Sequence, residues 1–383
     1  MNRTRTYWLV GGVLVMVAVV IAMIVAIGQG HDDELRIGVV FPLTGDAASY
    51  GEKGREAIDL AVSIVNAEGG CGGRPVRVIY EDSRADPKTG VSAIRKLISA
   101  DHVPIVIGDI VSAVTLAAAP IAENNRVVLL SPTSSSPAIT NAGHYIYRIW
   151  PSDLAEGRAI AKLALSRDYR RVSIFHMNND YGTSIAQVFK KTFEAGGGSI
   201  PVMEAYQAEG TDYRSFLAKM KMDAPDALYI AGYFADTATI VRQLRELGLS
   251  TQVLGTTAVE DDKFLQLAGD AAEGVIYPLA TGFDPASSDA QVQQFVKKFR
   301  SRYGHEPGWV EAQAYDAFML ICHVASRLDE DVTGEALKKA LDTMGSYKGV
   351  AGVIEFDENG DVVKPVVLKT VRNGVFSRLA GSE

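Results

Sequence analysis

A chain of 383 residues with 47% hydrophobic and 22% charged content has room for about two globular domains and is too apolar for disorder. Its 38 basic and 46 acidic residues give a formal charge of -8, and no Lys/Arg block goes beyond pairs such as Lys190-Lys191 and Lys297-Lys298. That distribution argues against nucleic acid as a partner, because phosphate binding needs a concentrated basic surface.

The N-terminus carries Arg3 and Arg5 ahead of an uncharged, mostly aliphatic run from Tyr7 to Ile27, after which "HDDE" is polar again. Basic residues before such a run and acids after it direct the following chain out of the cytoplasm. The run is close to the roughly 20 residues that span a bilayer, and Ala26-Ile27-Gly28 is a passable cleavage site. Residues 1–30 therefore read as either a signal peptide or a retained signal anchor, with an inner-membrane attachment in the second case. Both readings place the rest of the chain outside that membrane.

A strand, a polar loop and a helix follow. The apolar run Ile37–Phe41 leads into "DAASYGEKGREAIDLAVSIVNAEGG", where the loop holds Tyr50-Gly51, and Ala57, Ile58, Ala61, Ile64 and Val65 share one helical face. Further Val/Ile-rich strands are "VRVIY", "PIVIG" and "RVVLLS". After "PIVIG", a helix begins near Ser112, which is placed as its N-cap with free backbone N–H groups just beyond. Such a helix start attracts anions, a carboxylate among them; alternatively Ser112 only caps its own helix. After "RVVLLS" comes the hydroxyl-rich turn "SPTSSSPAIT", with Pro137 placed to start a short helix. Its serines are either loop filler or donors for a small polar ligand.

The series restarts near Trp150-Pro151. "SDLAEGRAIAKLALSRDY" makes a helix capped by Ser152 or Asp153, and the strand Val172–Phe175 then feeds "NNDYGTSIAQVFKKTFEAGGG", a second copy of the tyrosine-tipped unit with Tyr181-Gly182 in its loop. "ALYIAGY", "TQVLGT" and "GVIYPL" supply more strands. Of the two cysteines, Cys71 lies in "EGGCGG" and Cys322 in "AYDAFMLICHVASRL". Export permits a bridge between them, but the apolar neighbours of Cys322 at helical spacing favour a small core residue, and that is the expectation.

Continuously apolar strands separated by amphipathic helices imply parallel sheets buried on both faces. The restart implies two such α/β lobes. Ligands sit beyond the carboxyl ends of strands in these folds, so Tyr50 and Tyr181 are expected on opposite walls of one cleft.

Seven segments together carry a resemblance: "IGVVFPLTGDAASYGEKGREAIDLAVSIVNAEGG", "YEDSRADPKTGVSAIRKLI", "IGDIVSAVTLAAAP", "LLSPTSSSPAIT", "NNDYGTSIAQVF", "DALYIAGY" and "AGDAAEGVIYPL". In this order, over nearly everything after residue 34, the chain resembles the periplasmic branched-chain (hydrophobic) amino acid binding proteins of ABC transporters. The resemblance implies a type I periplasmic-binding fold, that is, two doubly wound parallel-sheet lobes joined by a three-strand hinge. Crossovers would fall near residues 149–152, 279–282 and 347–352, giving one lobe residues 35–149 plus 281–346 and the other 150–280 plus 347–383. It further implies that Ser112 holds a ligand carboxylate, that Ser135 supports both carboxylate and amino group, and that the Thr133 carbonyl accepts from the ammonium. Tyr50, Tyr181 and Tyr233 would line the pocket.

One position departs from the pattern. Amino-acid-binding members place an acidic residue after the strand matching "TQVLGT", and this chain has Thr257 there. Threonine accepts a hydrogen bond but cannot neutralise a buried ammonium, which is costly to leave unpaired. Either Glu260, Asp261 or Asp236 reaches in, or the ligand is not a simple α-amino acid but a related acid or amide.

The implied partners are a small-molecule ligand, an ABC permease and its ATPase subunits, with no cofactor or metal. An enzyme is not indicated, since HExxH, CxxC, Walker A and GxSxG sequences are lacking and no GxGxxG follows the first strand. The rival reading is a membrane-anchored extracytoplasmic ligand sensor.

Overall fold

The computed structural model describes residues 34–380 except 46, 209, 329 and 330. The N-terminal leader or anchor lies outside the described residues; among those described, no helix is long and apolar enough to cross a membrane.

The first lobe is built on a five-stranded parallel sheet in the order β2-β1-β3-β4-β5, with β1 Leu35–Phe41, β2 Val76–Asp82, β3 Ile105–Gly108, β4 Val128–Ser131 and β5 Ile146–Arg148. Strands β3, β4 and β5 are buried at every residue. Their unbroken apolar runs follow from helices covering both faces. The covering helices are α1 Ala48–Ala67, α2 Pro87–Ser99 and α3 Ser112–Asn124.

The second lobe carries a seven-stranded sheet in the order β14-β13-β10-β9-β8-β6-β7. Here β6 is Val172–Met177, β7 Met203–Tyr206, β8 Ala227–Ala231, β9 Gln252–Leu254 and β10 Ile276–Leu279, all parallel to their neighbours in this run. The C-terminal strands β13 Val367–Arg372 and β14 Val375–Arg378 extend it antiparallel, which makes this sheet mixed. Its helices are α4 Asp153–Ser166, α5 Asp180–Ala195, α6 Arg214–Asp223, α7 Phe234–Glu246 and α8 Asp262–Ala268.

The chain returns to the first lobe through α9 Ala290–Tyr303, α10 Trp309–Ala325 and α11 Gly334–Thr343. Helix α10 is apolar almost all round, packs along α1 and is buried over most of its length. Cys322 on this helix is bridged to Cys71 in the turn after α1, with Cα atoms 5.1 Å apart. This corrects the reading of Cys322 as a simple core residue: apolar surroundings and a bridge coexist, because the partner is 251 residues away in sequence and invisible to local periodicity.

The third crossover also differs from expectation. Strands β11 Ser346–Gly349 and β12 Gly352–Glu355 form a separate hairpin, held to the first lobe by Asp316 of α10, which accepts from Val350 N and Ala351 N. Asp361 then receives a bidentate bond from Arg148 at 2.7 and 2.6 Å. Residues 347–361 thus stay with the first lobe, and the chain leaves it between Asp361 and β13. One apolar cluster gathers Trp150, Leu279 with Ala280, and Val366 with Val367, so each of the three passages contributes to it.

Candidate functional site

In an open α/β sheet the crevice forms where adjacent loops diverge to opposite faces. In the first sheet this point lies between β1 and β3; in the second it lies between β6 and β8. The helix starts after those four strands carry Tyr50, Ser112 and Tyr181 in their first turns, not in the loops where the sequence reading put the two tyrosines, and Tyr233 as the N-cap of α7. A single topological rule therefore brings four residues from distant parts of the sequence to one place.

The repeated Tyr-Gly pair has a steric cause. A Cβ on Gly51 would lie 2.0 Å from Pro42 O, and one on Gly182 would lie 2.4 Å from Met177 O. Glycine lets each helix start against the strand-end backbone and so turns the preceding tyrosine into the cleft. The second copy is better capped: the Asn179 side chain accepts from Gly182 N at 2.8 Å, whereas α1 has no side-chain cap.

All seven sequence-predicted residues, Tyr50, Ser112, Thr133, Ser135, Tyr181, Tyr233 and Thr257, line one cavity with about 470 Å³ of empty space. Ile110, Val111, Trp150, Glu156, Ala258 and Trp309 complete it. Sequence reasoning missed these six.

The first-lobe wall is a tight polar fabric. Val111, not Ser112, is the N-cap of α3; Ser112 is the first helical residue, and its Oγ accepts from Ser135 N and Ser136 N, both at 3.2 Å. With both lone pairs engaged, the hydroxyl proton is left to be donated. The three serines are not filler. Ser134 Oγ donates to Asp109 O at 2.9 Å, Ser135 lines the cavity, and Ser136 Oγ accepts from Ala138 N to cap the short 3-10 turn that Pro137 begins. Thr133 Oγ1 donates to Ile110 O at 3.2 Å. Behind the loop, the wholly buried Arg148 holds Ser136 O and Thr140 Oγ1, each at 2.8 Å, besides Asp361.

The second-lobe wall is aromatic. Tyr181 and Tyr233 stack with centroids 5.5 Å apart and planes 10° apart. Tyr50 packs edge-on to Tyr233 at 6.0 Å, and Trp309 lies 4.7 Å from Trp150. Burial pushes the Tyr50 and Tyr181 phenols far above their usual range, so both remain neutral donors.

Glu156, in the first turn of α4, is the acid on this wall. Burial pushes its carboxyl up to about 8; Thr257 and Trp150 are near enough to ease ionisation, and Asp153 opposes it. Its Oε1 has no hydrogen-bond partner. The three acids considered for the place of Thr257 are engaged elsewhere. Glu260 binds Lys369 and the Tyr277 hydroxyl, Asp261 accepts from Lys53 Nζ at 2.9 Å and Ser49 Oγ at 3.1 Å, and Asp236 accepts from Tyr213 Oη at 2.6 Å. Thr257 itself donates to Pro278 O at 2.8 Å. A sequence signal for Glu156 did exist. With Ile160 and Ala164 it occupies successive turns on the buried face of α4, where an acid is out of place.

The lobes touch across the cleft. Tyr50 Oη donates to Ala258 O at 2.7 Å, Trp309 Nε1 donates to Glu260 O at 3.0 Å, and the Lys53–Asp261 pair joins α1 to the start of α8.

The sequence profile described as periplasmic binding protein matches residues 34–374. The leucine-, isoleucine-, valine-, threonine- and alanine-binding protein of Pseudomonas aeruginosa is 28% identical over 335 residues, covering 86% of this chain and 87% of its own. A leucine-binding protein of Thermotoga maritima superposes with a TM-score of 0.84 at 29% identity, over 90% of this chain and 98% of its own. The substrate-binding protein of a branched-chain amino acid transporter from Streptococcus pneumoniae, solved in complex with isoleucine, gives 0.83 at 27% identity, over 90% and 97%.

Proposed function

Since the chain belongs to the periplasmic binding protein family, we propose that it captures a branched-chain amino acid of the leucine, isoleucine and valine class between its lobes and delivers it to an ABC permease. Its place of work is extracytoplasmic, and we assign the apolar segment Tyr7–Ile27 the task of bringing it there. The role is binding and not catalysis.

The observation that carries this reading is the hydroxyl of Ser112 at the start of α3, with two N–H groups donated to its oxygen and its own proton left over. Beside the first amides of that helix, it forms a receptor for a small carboxylate. Thr133 and Ser135 add to the polar edge, while Ile110, Val111, Ala258 and the aromatic rings offer an apolar chamber for an aliphatic side chain. Closure follows from the two-walled arrangement. A solute that meets both walls only when they are together favours the closed state by its difference in affinity, and the three passages clustered at Trp150, Leu279 and Val366 allow a hinge. The permease would then read the closed outline.

The test is a thermal-shift panel of L-leucine, L-isoleucine, L-valine, aliphatic amides and benzoate. A ligand at 100 times its Kd adds about 2.7 kcal/mol to stability, so the branched-chain amino acids should raise the melting temperature by several degrees. A panel in which they leave it unmoved overturns the reading.

A further inference from the structure

We propose that Glu156 is the counter-ion for an ammonium group on the captured solute, so that the cavity selects a zwitterion and discriminates against the same acid without its amino group. The inference rests on the solute-capture reading above and goes beyond it by assigning the cation-recognising residue and thereby the charge class of ligand.

Four observations lead there. Glu156 is 2% exposed, yet it faces the cavity. Among the described residues, and apart from the tyrosines, it is the one lining side chain that can carry charge, with no Lys, Arg or His beside it. Its Oε1 is buried without a hydrogen-bond partner, which a native site leaves open at substantial cost unless something else supplies the donor. The nearby acids Asp153 and Asp109 each keep one oxygen unpartnered as well, but neither lines the cavity, and their other oxygens accept from Ser184 Oγ at 2.7 Å and Val111 N at 2.6 Å.

The geometry then sorts a zwitterion by charge. Hydroxyl and amide donors sit on the first lobe at Ser112, and the sole carboxylate sits on the second lobe at α4. A solute carrying both charges completes both walls at once, and only in the closed state. Thr257, which has no charge to offer, stands beside Glu156 and eases its ionisation. The carboxylate is thus supplied from a helix on the far side of the same corner, in place of the loop after β9.

Proton linkage follows. In the empty cavity burial keeps the carboxyl protonated into the neutral range; an arriving ammonium favours the ionised form, so binding near pH 7 expels a proton. The titratable groups facing Glu156 are Asp153 on its own helix, Tyr181 on α5 and Tyr229 on β8, and burial keeps both phenols neutral.

The experiment is calorimetric titration, in buffers of different ionisation enthalpy at pH 7, of L-leucine and of isocaproate, which is leucine without its amino group. Wild type, Glu156→Gln, Glu156→Asp and Ser112→Ala are compared. Wild type should prefer leucine by about 100-fold and release protons on binding it, the scale expected when one partner of a buried charge pair is missing. Glu156→Gln should lose about 100-fold in leucine affinity, hold isocaproate within about threefold, and abolish proton release. Glu156→Asp should keep part of the preference. Ser112→Ala should weaken both ligands alike. If Glu156→Gln binds leucine as wild type does, loses both ligands equally, or wild type takes isocaproate as tightly as leucine, the inference falls while solute capture stands. If wild type binds no small carboxylate at all, the capture reading falls and takes this inference with it.

Discussion

The two walls of the cleft hold their polar groups in opposite states. On the first lobe, the Ser112 oxygen, the Thr133 hydroxyl and the loop backbone are bonded to one another, with Arg148 bracing them from behind. On the second, Glu156 waits with an oxygen unpartnered among stacked phenols. The first wall keeps a donor spare, the Ser112 proton, and the second keeps an acceptor spare, Glu156 Oε1, so a ligand that carries both complements completes both. The bonds that hold the site together lie mostly behind the first wall.

The comparison breaks most visibly at Arg148. Arg148→Ala strands the Asp361 carboxylate and unties the serine loop, so it should cost ~3–5 kcal/mol of stability in urea unfolding. A midpoint equal to wild type would show that the first wall needs no brace. Ser112→Ala should leave the fold in place but cost ~1.5–3 kcal/mol in affinity for a carboxylated ligand by calorimetry; unchanged affinity would remove Ser112 from the site. Lys53→Gln addresses the seam between the walls. The Lys53–Asp261 pair joins the lobes, and with Lys53 partly exposed its loss should weaken ligand binding by ~1 kcal/mol, read as faster dissociation. A dissociation rate that does not change would detach this pair from closure.

The smallest effect sharpens the second wall without any ligand. Glu156 has a folded-state pKa of about 8, above the ordinary 4.5 for a glutamate. Its stabilising share is complete below the ordinary value and is lost as pH rises through the folded one. Asp109 at about 7 and Asp153 at about 6 act in the same direction. The melting temperature of the empty protein should therefore decline from about pH 5 to 8, and Glu156→Gln should flatten part of that decline. A melting temperature that rises over this interval for both proteins would contradict the burial of an unpaired acid.

Much of this arrangement was legible in the sequence because its causes are local. Buried parallel strands must be apolar throughout, and Tyr-Gly recurs because each helix start needs a residue without a Cβ against Pro42 O or Met177 O. Tyr50, Ser112 and Tyr181 could be named from strand ends, whereas Thr133, Tyr233, Thr257 and the role of Ser135 came with the family resemblance. What escaped depended on long-range partners. Cys322 looks like any core cysteine until Cys71 is placed beside it. Residues 347–361 read as part of the second lobe until Asp316 and Arg148 are seen holding them to the first. Trp150 and Trp309 reach the cavity from a crossover and from a helix start of the other lobe, where no strand-end rule looks for them.

The central claim is that one solute fills the space between the walls, and the protein carries its own reporter. Trp150 and Trp309, two of the chain's three tryptophans, line that space, and Trp309 Nε1 bonds across it to Glu260 O. Intrinsic fluorescence during titration with L-leucine should change saturably, with one equivalent at the end point, and Trp309→Phe should remove most of the signal. Emission that stays constant through saturating leucine, or a change that persists undiminished in Trp309→Phe, would contradict capture between the lobes.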